Sequence, residues 1–164
     1  MRPVDAIGRA ICTFQGKVFE RSASLLPHCS SAVFVRRFMR SEEASRADEM
    51  GSFDPGITEE SVVNTVDAAY GRKPYGSETY PPEVLYWMGY VYRYWVLASG
   101  TSSRHVHAAC GAREMRDLYL AFHALDPAQC VERILEAKGM SIDVLSDANL
   151  ERRALEILRR RRRA

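Results

Sequence analysis

The chain has 164 residues, enough for one domain with a sizeable core. Apolar residues make up 46% and charged residues 27%, values of a globular protein with no need of disulfide staples. The net charge is +2, and five of the positive charges sit in the run Arg159, Arg160, Arg161, Arg162 and Arg163; removing them leaves −3. The body is mildly acidic and the basicity belongs to one end, which argues against a nucleic-acid-coating surface on the body.

The apolar runs are short and broken by charge or glycine, so no transmembrane span is expected. Asp5, Arg9 and Lys17 interrupt the first seventeen residues, which do not read as a secretory signal. Cys12, Cys29, Cys110 and Cys130 form no C-x-x-C pair and are expected to be buried, reduced thiols in a cytoplasmic protein. Only three basic residues are lysine, so arginine abundance alone says little about phosphate binding.

In chain order, Val4, Ile7, Ile11, Phe14 and Val18 recur at spacings of three and four and predict a helix over 4–24, stopped by Pro27. Residues 32–39 form a second apolar segment. Ser41 followed by Glu42 and Glu43 predicts a capped restart that Gly51 closes. Thr58-Glu59-Glu60 opens the next helix, with Gly71 at its end. Residues 71–80 read as a loop. Pro81 and Pro82 suit a helix's first turn, and that helix runs to Gly100. Ser102 or Ser103 caps a short helix through Ala109. Another spans 112–125. Asp126-Pro127 starts a further one that ends at Gly139, and a last amphipathic helix is expected over 147–161. No sustained period-two alternation occurs. The expectation is an all-α, compact bundle of about six to seven helices around a central aromatic-rich helix at 81–99.

That central helix holds YWMGYVYRYW, residues 86–95, with six aromatic side chains. A wheel makes it apolar nearly all round, which predicts a buried core helix. Gly89 is expected to admit a neighbouring helix closely. The narrow strip Tyr86, Tyr90, Arg93 and Leu97 remains for a wetter side. Tyr and Arg are favoured interface anchors, so Tyr86, Tyr90 and Arg93 are candidate partner-binding residues. Arg36, Arg37 and Arg40 form a second candidate patch, weighed against an ordinary solvated helix face.

His105-Val106-His107 points its imidazoles about 200° apart on a helix, too divergent for one metal ion. His107 with Cys110 is the one pair that would suit a small enzyme, though no local signature accompanies it. Phosphate-binding glycine motifs are absent. No cofactor and no metal is expected. Five consecutive arginines exceed what a helix dipole rewards, and Arg159–Arg163 are the candidate residues for nucleic-acid binding in an alternative reading.

Three segments carry a family resemblance: FVRRFMRSEEASRAD (34–48), YGRKPYGSETYPPEVLYWMGYVYRYW (70–95) and LDPAQCVERILEAKG (125–139). Together they resemble a family of small bacterial proteins, some labelled antitoxins, over about residues 33–139. The resemblance implies a non-enzymatic job: to bind and neutralise a co-encoded toxin. It carries no catalytic residues. Residues 1–139 then form one helical domain and 140–164 an extension, with a protein partner expected, no membrane, and a second copy of the chain as a further candidate partner.

Overall fold

The computed structural model describes residues 1–141, which hold eight α-helices. They are α1 (Ala6–Leu25), α2 (Ser31–Met39), α3 (Glu42–Met50), α4 (Glu59–Ala69), α5 (Pro82–Ser99), α6 (Ser103–Ala109), α7 (Ala112–Phe122) and α8 (Pro127–Ala137). The architecture is the all-α bundle expected. The count is slightly above six to seven, and each of the eight falls on a segment expected from the sequence, the short α3 and α6 included. The helix expected over 147–161 and the run Arg159–Arg163 lie outside the described residues.

Local chemistry sets most boundaries. Asp5, Ser41, Thr58 and Asp126 each accept a hydrogen bond from the backbone N–H of their own helix's first turn. Thr58 and Ser61 cap each other reciprocally. Gly51, Gly71, Gly100 and Gly139 all take positive φ at helix ends. After α4 and α8 the pairs Gly71 N–H to Ala68 O and Arg72 N–H to Asp67 O, and Gly139 N–H to Glu136 O and Met140 N–H to Leu135 O, complete Schellman caps. The α7 helix stops at Phe122, three residues before the expected end, and Leu125 N–H turns back onto Phe122 O.

The loop before α5 is tied down. Ser30 N–H donates to Tyr75 O and Tyr75 N–H to His28 O, a single parallel bridge. Ser31 N–H donates to Glu78 O, and Tyr80 N–H to Ser31 Oγ. These bonds fix where Pro82 starts the central helix.

Helix α5 occupies the middle, packed on α1, α6, α7 and α8. The expected close approach at Gly89 is present: a Cβ there would lie 2.6 Å from the Gln15 carbonyl oxygen and 2.9 Å from the Gly16 Cα. The inward face of α1 matches the expected apolar stripe only in part. Val4, just before the helix, and Val18 are buried as expected, but Ile7 is 72% exposed and Ile11 and Phe14 are half-buried, while Gly8, Cys12, Gln15, Gly16, Phe19 and Ser22 complete the buried face. Glycine holds position 16 because α5 comes close there: a Cβ would lie 2.9 Å from Tyr86. Phe19 then packs edge-on against Phe34, Phe38 and Tyr92, joining α1, α2 and α5. No described helix is long and apolar enough to cross a membrane.

Candidate functional site

Four elements leave an open cleft of about 510 Å³ beside the central helix. Helix α5 contributes Glu83, Tyr86, Trp87, Tyr90 and Val91; α1 contributes Glu20; α7 contributes Tyr119; and His123, Leu125 and Pro127 close it from the turn into α8. The α5 residues at 83, 86, 87 and 90 follow the helical i, i+3, i+4, i+7 pattern, so one face delivers them together. Tyr86 and Tyr90 lie 6.3 Å apart between ring centroids. Trp87 meets Tyr119 edge-on at 5.6 Å, and Tyr119 stacks on His123 at 4.8 Å. His123 Nδ1 lies 3.0 Å from Tyr119 O, which holds the imidazole in that stack. The cleft thus has rings on several walls and two carboxylates among its lining residues. Burial pushes the Tyr90 phenol above its usual pKa, so it is an uncharged hydroxyl at neutral pH.

The strip expected from the sequence divides. Tyr86 and Tyr90 are half-buried and line the cleft. Arg93 does not join them; it is 0% exposed. Its Nε donates to Gln15 Oε1 at 2.7 Å, Nη1 to Asp48 Oδ1 at 2.7 Å, and Nη2 to Ser103 Oγ at 3.3 Å. Asp48 also accepts from the Ser103 N–H and hydroxyl, each at 2.7 Å. Gln15 Nε2 donates back to Gly89 O at 3.1 Å, and the Phe53 ring lies under the guanidinium at 5.3 Å. The expectation that Arg93 is an exposed anchor is therefore corrected. One charge that looks like the wet face of α5 is an internal clamp joining α1, α3, α5 and α6. Burial lowers the Arg93 pKa, and the Asp48 carboxylate opposes that shift.

The second patch also divides. Arg36 is exposed on α2 and Arg40 is exposed at its C-cap. Arg37 is half-buried: its guanidinium lies 4.7 Å from the Tyr70 ring centroid and donates to Lys73 O at 3.5 Å. It fastens the end of α4 to α2. Arg40 lines a separate depression with residues of α3 and α4, among them Glu42, Glu43 and Tyr70, and this shares no lining residue with the aromatic cleft.

His107 and Cys110 are tuned away from nucleophilic pairing. Burial pushes the Cys110 thiol up to about 12, and burial with the charges of Arg40 and Arg36 pushes His107 down to about 4. A thiolate–imidazolium pair needs both shifts reversed. Neither His107 ring nitrogen has a hydrogen-bond partner among the described residues. His105 and His107 diverge as expected, the first exposed and the second buried, and no group of three or more His, Cys, Asp or Glu among the described residues is placed to hold a metal.

Sequence reasoning found Tyr86 and Tyr90 but not Glu20, Glu83, Tyr119, His123 or the role of Trp87 in the same cleft. The i, i+4 pair Tyr119–His123 and the adjoining Asp126-Pro127 turn were the available signal. The second starts α8 and puts Leu125 and Pro127 at the edge of the cleft. Comparison with family models, curated proteins and solved structures returns no match to this chain, so the reading of the cleft rests on its own residues.

Proposed function

We propose that this chain is a protein-binding component of the antitoxin type, which takes up a segment of a co-encoded toxin in the aromatic cleft and silences the toxin by covering its active site. The observation that carries the reading is the cleft itself: Tyr86, Trp87, Tyr90 and Tyr119 around an opening of about 510 Å³. Half-buried tyrosine and tryptophan in a concave patch are the side chains that most often dominate binding energy. Glu20 and Glu83 among them favour a segment carrying arginine or lysine. The antitoxin assignment draws further on the resemblance of residues 33–139.

The test is co-expression of the chain with the product of the neighbouring gene. Wild type relieves the growth arrest that the neighbour causes, and the Tyr86→Ala/Tyr90→Ala variant, folded by circular dichroism, does not. Equal relief by both proteins removes the cleft from the mechanism. A neighbour that causes no arrest removes the antitoxin assignment.

A further inference from the structure

The cleft and the far end of the chain are complementary in charge. Glu20 and Glu83 line the cleft, and at Leu125 it adjoins a second depression lined by Gln129, Glu132, Arg133 and Glu136. Four carboxylates and one guanidinium thus line two depressions that meet at Leu125. Aromatic faces attract cations, and arginine adds planar stacking on tyrosine and tryptophan. The same chain carries five consecutive arginines at 159–163, while the remainder of the sequence is net negative. Such a run repels itself and gains most from an acidic, aromatic surface.

Reach is sufficient. Seventeen residues, 142–158, separate Ser141 from the run. At up to about 3.3 Å per residue they span far more than the radius of gyration of a folded 141-residue unit, about 14 Å. Tethering on one chain raises the local concentration of the run to the order of millimolar.

We infer that the chain's own arginine run, Arg159–Arg163, docks in the aromatic cleft beside Glu20 and Glu83, so that a partner must displace it. This rests on the reading of the cleft as a docking site and adds the regulation of that site: the partner competes with an internal cation, and salt or a stronger cationic segment opens the cleft.

The experiment places a nitroxide on the full chain through Ala164→Cys. Cys12, Cys110 and Cys130 are 0% exposed and Cys29 is 7% exposed, so the label goes to the new thiol. The expected result is selective loss of NMR signal at the Tyr86 and Tyr90 amides and the Trp87 indole, with the amides of α3 and α6 spared. Glu20→Gln/Glu83→Gln, or about 1 M NaCl, where the Debye length is about 3 Å, restores the signals. Loss spread evenly, or confined to another face, overturns the inference. So does the same loss in an isotope-labelled chain without nitroxide mixed with the labelled chain, since the run would then come from a second copy. The two readings separate cleanly. If the cleft signals are unaffected while Tyr86→Ala/Tyr90→Ala still abolishes partner binding, docking stands and self-occupancy falls. If the alanines leave partner binding intact while the run still quenches the cleft, the reverse holds.

Discussion

Arg93 is where a single side chain most changes the account. A fully buried guanidinium held by Asp48, Gln15 and Ser103 gains from each bond, and it leaves a stranded carboxylate when removed. Arg93→Ala is expected to destabilise the protein by about 3–5 kcal/mol, the usual cost of breaking a buried pair, as read by denaturant unfolding. A loss within about 0.5 kcal/mol would show the clamp to be marginal. His107 makes a different prediction. Its pKa is about 4 in the fold against the ordinary 6.5, so between those values the unfolded chain binds the proton and the native one does not. The stability contributed by neutral His107 is complete above pH 6.5 and is lost as pH falls from there towards 4. His107→Leu removes two unpartnered ring nitrogens along with the titration. Its unfolding midpoint should therefore fall less between pH 7 and pH 4.5 than the wild-type midpoint does. Equal falls would place the acid sensitivity elsewhere.

At the level of elements, the α1–α5 contact is the fold's tightest constraint. Gly89→Ala normally favours a helix by roughly 1 kcal/mol. Here the new methyl would meet the Gln15 carbonyl at 2.6 Å, which is backbone and yields only if the helices part. The net effect is expected to be destabilising by about 1–3 kcal/mol, the range for overpacking a close contact. A gain in stability would mean that α1 does not lie where it is described. The converse holds on the outer side of α1. Ile7→Gln should change stability by no more than about 0.5 kcal/mol, because Ile7 is 72% exposed.

These two positions also explain what the sequence conveyed. Caps and stops were legible because they act locally: Ser41, Thr58, Asp126 and the glycines at 51, 71, 100 and 139 need only their own turn. The inward face of α1 was half legible. Apolar spacing found Val4 and Val18 but also favoured Ile7 and Ile11, while tertiary closeness favoured Gly8, Cys12 and Gly16. Arg93 misled for a related reason. On a wheel a lone charge marks the wet side, and its partners Gln15, Asp48 and Ser103 are 78, 45 and 10 residues away in sequence. The cleft was half legible: the α5 residues share one face, but Glu20 and Tyr119 enter only through packing.

Over the whole molecule, one buried clamp and one close helix crossing hold α5 rigid, and the outer face of α5 is left as the floor of an aromatic cleft. A rigid floor suits docking, since little ordering is required on binding. The central claim is that this cleft is where a protein partner binds. The most direct measurement is affinity purification from the source cell at moderate salt with nuclease present, run in parallel for the wild type and the Tyr86→Ala/Tyr90→Ala variant, with mass spectrometry of what is retained. The account predicts a stoichiometric small protein on the wild type and its loss on the variant. Equal retention by both, or nucleic acid retained in place of protein when nuclease is left out, would contradict it.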